Sequence, residues 1–230
     1  MTATTAPIID IKNCEILQNK NLILSDVTLS ISPSEFVYLI GRTGTGKSTL
    51  LKMLYGEIPL KEGEATVAGF NLKKLPRKKI PYLRRKLGMV FQDFQLLPDR
   101  SANDNLKFVL QSTGWKNKNE IKDRIQQVME KAGLATKGFK MPHELSGGEQ
   151  QRLVIARALV NDPEIIFADE PTGNLDPETT TEVLKVLHEI SRSGRTVVMA
   201  THNYPVIEKF PGRIIKFEGG KVHAMMKPVA

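Results

Sequence analysis

The segment Gly41-Arg42-Thr43-Gly44-Thr45-Gly46-Lys47-Ser48-Thr49 constrains the fold most tightly, because of what stands on either side of it. Before it runs Phe36-Val37-Tyr38-Leu39-Ile40, a short, wholly apolar stretch of the kind that forms a central parallel strand buried on both faces. After it, Ser48 to Tyr55 reads as a helix stopped by Gly56. A strand, a glycine-rich turn and a helix in that order point backbone N–H groups and the positive end of a helix at one place. The glycines leave room for an anion, Lys47 brings a full charge to β- and γ-phosphates, and the Ser48 hydroxyl is placed to ligate Mg²⁺. A chance match to the glycine–lysine–serine spacing in a chain of this size has odds on the order of 1%, and the flanking strand and helix lower them further. The segment is therefore read as a nucleotide site.

The remaining pattern supports an α/β body. Ile8 to Ile11, Val27 to Ile31, Glu64 to Ala68 and Gly88 to Phe91 have strand character, and from Ser101 to about Val160 the apolar period becomes helical. Ser101 is a plausible N-cap, Ile121, Ile125, Val128, Met129 and Ala132 line one helix face, and Trp115 falls in a polar connection. Strand 165–168, helix 178–190, strand 196–200 and strand 214–217 follow. Strands and helices alternating in this way imply a mostly parallel sheet, into which the helical middle is inserted as a lobe. At 230 residues one domain is expected, with about 1–92 and 161–230 forming the body and about 93–160 the lobe.

Bulk properties exclude several classes. Cys14 is the only cysteine, so neither an internal disulfide nor a cysteine-based metal site is available, which fits a reducing compartment. The start of the chain, 1–7, has no signal-peptide pattern, and no apolar run approaches the ~20 residues needed to span a bilayer. Any work at a membrane then requires a second, spanning subunit. The net charge of +8 includes a run, 73–86, in which eight of fourteen residues are Lys or Arg, with Pro76 and Pro81 expected to interrupt any helix. A solvated face, attraction to anionic headgroups and nucleic-acid binding are all open to such a run; Tyr82 is its only aromatic, which disfavours nucleic acid.

Three further positions fall at strand ends, where α/β sheets bind ligands. Strand 165–168 runs into Asp169-Glu170. Asp169 suits Mg²⁺ through a water, and Glu170 suits the polarisation of a water for attack on a γ-phosphate. His202 follows strand 196–200 as a γ-phosphate contact, and Gln92 follows strand 88–91 as a neutral ligand of Mg²⁺ or of the attacking water.

Together with Leu145-Ser146-Gly147-Gly148-Glu149-Gln150 and Asn174-Leu175-Asp176, these elements resemble, in order and spacing, the ATP-binding cassette (ABC) ATPases, from about Ile8 to Val222. The resemblance implies a P-loop NTPase fold of the ABC type, with an antiparallel β edge beside the parallel core. It implies ATP and Mg²⁺ as ligands and a homodimer in which Ser146, Gly147 and Gly148 of one copy contact the γ-phosphate held by the phosphate loop of the other. Segments 81–93 and 97–100 are most similar to the cell-division branch of the family, whereas 168–176 and 199–202 are shared with lipoprotein-releasing and macrolide-export ATPases, which stand as the alternative. By the same resemblance the chain sits on the cytoplasmic face of the bacterial inner membrane against an integral membrane subunit, and the apolar residues Phe94, Leu96, Leu97 and Pro98 border the cleft that receives it.

One position departs from the family. Its members carry an aromatic residue upstream of the phosphate loop that stacks on adenine, whereas this chain has no Phe, Trp or Tyr before Phe36. Spacing puts Ile16 or Leu17 there. An aliphatic side chain forfeits a stacking contribution of ~1 kcal/mol, so relaxed selectivity between ATP and GTP is expected.

Overall fold

The computed structural model describes residues 6–225; the first part of the polar N-terminal stretch read above, residues 1–5, lies outside them. Two sheets organise the molecule. Strand β3 (Phe36–Ile40) is central to a six-stranded sheet of order β10-β9-β3-β8-β7-β6, built with β6 (Leu87–Phe91), β7 (Ile165–Asp169), β8 (Thr196–Thr201), β9 (Arg213–Glu218) and β10 (Lys221–Met225). Every pairing in it is parallel except the outer β9–β10 hairpin. The second sheet is antiparallel, of order β2-β1-β4-β5, from β1 (Ile9–Gln18), β2 (Asn21–Ile31), β4 (Glu62–Val67) and β5 (Phe70–Asn71).

The apolar runs explain the layering. A strand presents alternate side chains to opposite faces, so a run buried at every position must be covered on both. In β3, Phe36, Tyr38 and Ile40 enter one core while Val37 and Leu39 enter the other. Strand β7 divides likewise, with Ile166 and Ala168 on the first side and Ile165 and Phe167 on the second. The first core is closed by helices α3 (Ala102–Ser112), α4 (Lys118–Lys131), α5 (Gly147–Leu159) and α6 (Pro177–Arg192). The second is closed by α1 (Lys47–Leu54) and the antiparallel sheet. Trp115, in the α3–α4 connection, packs against the first core.

Local chemistry sets the helix starts. Ser101, Asn117 and Asp176 each accept backbone N–H bonds at the openings of α3, α4 and α6. The strands of the antiparallel edge run longer than their apolar cores suggest. β1 and β2 form a hairpin turning at Asn19-Lys20, both with positive φ of 51° and 70°, so the mixed segments 12–18 and 21–26 are strand as well. The basic run also differs from expectation. Pro81 does not interrupt a helix but stands in the first turn of one, α2 (Ile80–Arg85), where a missing N–H costs nothing. No described helix is long and apolar enough to cross a membrane.

Candidate nucleotide site

β3 delivers the phosphate loop at the C-terminal edge of the parallel sheet. Gly46 precedes α1 in a left-handed conformation (φ 99°), with no side chain capping the helix and no acidic residue in its first turn. The first N–H groups of α1 therefore carry an uncompensated positive end. Gly41 is needed for close approach: a Cβ there would lie 2.6 Å from the Phe217 carbonyl oxygen. Lys47 is buried, and its Nζ donates to the carbonyls of Gly41 (2.7 Å) and Arg42 (3.2 Å), bending the ammonium back over its own loop.

A cavity of about 810 Å³ opens over the loop, large enough for a nucleotide triphosphate. Thr43, Gly44, Gly46, Lys47, Ser48 and Thr49 line one side, and Gln92, Asp169, Glu170, Asn174 and His202 the other. Gly41, Arg42 and Thr45 do not line it; they shape the loop, with Thr45 Oγ1 donating to the Arg42 carbonyl at 2.8 Å. Parallel pairing of β3 with β8, of β8 with β7 and of β7 with β6 brings loop, acids, histidine and glutamine to one edge from four distant parts of the chain.

The polar contacts assign chemistry. Ser48 Oγ donates to Asp169 Oδ1 at 2.9 Å, so two oxygen donors already face each other where a divalent cation would bridge them. Burial pushes the Asp169 carboxyl above its ordinary range, Ser48 lowers it in part, and neighbouring Glu170 raises it again. A raised acid pKa means that folding stability falls as pH rises through the ordinary carboxylate range, a cost that a bound cation would offset. Hard oxygen donors from Ser48 and Asp169, an amide oxygen from Gln92 and phosphate oxygens fit Mg²⁺; no cluster of three or more His, Cys, Asp or Glu among the described residues offers a different metal site.

Glu170 is held in a left-handed conformation (φ 48°), an arrangement costing ~1–3 kcal/mol in a non-glycine residue and characteristic of functional sites. Its Oε1 lies 3.0 Å from His202 Nδ1 and 3.8 Å from Lys47 Nζ, which turns the carboxylate toward the phosphate end of the cavity. Gln92 points elsewhere: its Nε2 donates to Asn174 Oδ1 at 3.1 Å, and its side chain lies over Gly173. That bond uses the amide nitrogen and leaves Oε1, the atom a hard cation would take, unengaged.

The expectation for the base-covering position does not survive. Ile16 is fully buried in the second core and cannot cover a base, and Leu17 lines a separate cavity with Asn19 and Lys20. Gln18 and Ile23, across the β1–β2 hairpin, line the nucleotide cavity instead, and Thr49 Oγ1 donates to Gln18 Oε1 at 3.0 Å. No short-range pattern marks Gln18; only the hairpin brings it over α1. Leu96 packs against the first core, whereas Leu97 lines a different cavity of about 580 Å³ between α2, β6, α3 and α5, with half-exposed Phe108. Phe108 is an apolar residue off the buried stripe of α3, which was its signal in the sequence.

Ser146, Gly147 and Gly148 line no part of the nucleotide cavity of their own chain. They open α5, where Ser146 Oγ accepts from Glu149 N (3.3 Å) and Ser146 N donates to Glu149 Oε2 (2.9 Å), a reciprocal cap. Gly148 is buried because a Cβ there would meet Thr179 Cγ2 of α6 at 2.3 Å, while Gly147 is exposed.

A phosphate loop, a facing acid pair and a glycine-rich helix opening outside their cavity define a cassette ATPase. Residues 24–173 match the family model described as ABC transporter, and the chain belongs to that family. It is an ABC-type ATPase. It is 44% identical over 204 residues to the cell division ATP-binding protein FtsE of Streptococcus pneumoniae, covering 89% of this chain and 88% of that protein. The Bacillus subtilis protein of the same name is 45% identical over 197 residues, 86% of each chain. Among solved structures, the dimeric ABC transporter cassette MJ0796 superposes with a TM-score of 0.83 at 34% identity over 96% of this chain and 99% of that one. The same cassette is also known as a dimer in a post-hydrolysis state bound to ADP and Pi.

Proposed function

We propose that this chain is the ATP-hydrolysing subunit of a membrane complex in bacterial cell division, working as a homodimer beneath an FtsX-like integral membrane protein at the cytoplasmic face of the inner membrane. The relatives named FtsE support the division role. The observation that carries the dimer is that the nucleotide cavity gathers Lys47, Ser48, Asp169, Glu170 and His202 but none of Ser146 to Gly148. On this reading the chain is one cassette, with a body of about 1–92 and 161–230 and a lobe of about 93–160.

Each site is then shared. Lys47 and the free N–H groups of α1 bind the β- and γ-phosphates of ATP, and Thr43, Gly44, Gly46 and Thr49 wall the pocket. Ser48, Asp169 and the amide oxygen of Gln92 would hold Mg²⁺, which would neutralise charge developing on the transferred phosphoryl group. Glu170 orients and deprotonates the attacking water, His202 holds Glu170 and touches the γ-phosphate, and the α5 opening of the second copy closes over it. Closing therefore requires ATP, and loss of phosphate opens the dimer.

Mixing supplies the test. Lys47→Ala and Ser146→Arg chains should each be inactive, and an equal mixture should recover roughly a quarter of the wild-type rate, because random pairing makes half the dimers mixed with one intact site each. No recovery would reject the shared site. For the membrane subunit, the cavity containing Leu97 and Phe108 is the receiving surface, where an apolar helix fits. Leu97→Asp should abolish co-purification with that subunit while leaving nucleotide affinity within about twofold, since Leu97 lines no part of the nucleotide cavity. Undiminished co-purification would place the partner elsewhere. The exposed lysines and arginines of 73–86 leave two readings, a solvated face and peripheral contact with anionic headgroups, and no nucleic-acid role is proposed.

A further inference from the structure

Two consecutive residues, Phe94 and Gln95, have φ of 52° and 50° although neither is glycine. Such a pair persists only where its surroundings hold it, and it is a marker of function when it borders a site. This one follows Gln92 directly. The restraint comes from α5. Arg157 Nη2 donates to the Phe94 carbonyl at 2.8 Å, and Nη1 donates to the Gln95 carbonyl. The planar fork of a guanidinium suits two acceptors turned the same way, and the left-handed pair turns these two carbonyls toward it. Arg157 is half-buried and forms no ion pair among the described residues, so these carbonyls are its principal acceptors.

The same helix grips the other end of the segment. Gln151, fully buried, donates Nε2 to the Phe91 carbonyl at 3.4 Å, and its Oε1 has no partner among the described residues. A buried amide oxygen without a partner carries a desolvation cost, so this contact is kept for something other than its own stability. From Phe91 to Gln95 the backbone is thus tied to α5, while the Gln92 side chain is tied to Asn174. Gln92 lines the nucleotide cavity, and Gln95 and Leu97 line the cavity between body and lobe.

We propose that Arg157 is a positioning residue for ATP hydrolysis, holding the strained 94–95 turn so that Gln92 stands within reach of the phosphate end of the cavity. The proposal rests on the reading of Gln92 as a residue of the ATP site. It also gives α5 a second task. Arg157 lies eleven residues beyond Ser146, about 16 Å along a rigid helix. Contact made by the α5 opening with a second copy's nucleotide therefore reaches Gln92 of its own chain through one lever, and contact in the lobe cavity reaches it through Gln95.

The test is steady-state ATP hydrolysis by the full-length protein carrying Gln92→Ala, Arg157→Ala, Arg157→Lys or both Gln92→Ala and Arg157→Ala, normalised to folded protein by thermal unfolding. Arg157→Ala should lower kcat about tenfold with KM for ATP within about twofold, and the double variant should be no slower than Gln92→Ala alone, because residues acting as one unit are not additive. Arg157→Lys keeps the charge but not the fork and should lose about threefold, which carries the test if Arg157→Ala does not fold. Losses that multiply in the double variant, or wild-type kcat in a folded Arg157→Lys, would overturn the proposal with Gln92's role intact. Wild-type turnover by Gln92→Ala would instead overturn the reading of Gln92, and the proposal with it.

Discussion

The openings of α1 and α5, the two that the proposed function brings to ATP, are built differently. At α1, Gly46 supplies no cap, the first turn has no acid, and a cavity stands over the free N–H groups. At α5, Ser146 and Glu149 cap each other, Lys137 pairs with Glu149 at 3.1 Å, and the Ser146 N–H bond holds the Glu149 carboxyl below its usual range, ahead of the Lys137 contribution. An uncapped opening is a binding site that waits for its ligand within one chain. A capped one is stable by itself and has less positive potential to offer, so it binds phosphate only when other groups already hold that phosphate in place. The difference is the physical basis for reading α1 as the site that holds ATP and α5 as the element that senses it from across a dimer.

The largest effect that would break this comparison comes from the α1 side. Glu170→Gln should reduce phosphate release by at least about a hundredfold while leaving ATP-driven dimers intact and longer-lived, as expected for loss of a general base without loss of binding. Phosphate release and light scattering with ATP check it, and unchanged turnover would remove Glu170 from the chemistry. At the α5 side, Gly148→Ala forces a Cβ to within 2.3 Å of Thr179 Cγ2, and overpacking of this kind costs ~1–3 kcal/mol. It should lower the unfolding midpoint and the turnover, with nucleotide affinity of the monomer preserved; a variant that melts like wild type would show that α5 and α6 shift freely. The smallest effect sharpens the contrast in charge. Glu149→Gln keeps an oxygen to accept from Ser146 N and removes the negative charge, so ATP-driven dimerisation should tighten by about threefold, the size of one helix-terminus charge. Weaker dimerisation would mean that the Lys137 pair matters more than the potential.

Much of this was legible in the chain itself. The apolar runs 36–40 and 165–168 announced buried parallel strands, and both proved to be covered on two faces. Gly41 to Thr49, Asp169, Glu170, Gln92 and His202 were each readable from a strand end followed by a chemically apt residue, and all but Gly41, Arg42 and Thr45 line one cavity. What failed had a common cause. Ile16 and Leu17 were assigned by counting along β1, but a strand alternates its faces, and Ile16 faces the core. Pro81 was read as a breaker because its place within a helix turn could not be known from composition.

From the residues alone one could read nucleotide binding, a candidate phosphate loop and a resemblance to a cassette completed by a second copy, because glycine spacing, a lysine and strand-end carboxylates are short-range requirements of phosphate chemistry. Tertiary structure alone decided that Gln18 and Ile23 wall the pocket, that Gln92 rests on Asn174, and that Arg157 reaches the turn beside it. Those contacts join residues 31, 82 and 63 positions apart in the chain. They depend on strand register, on a hairpin turn and on the seating of α5, and none of these leaves a periodic trace in the residues it brings together.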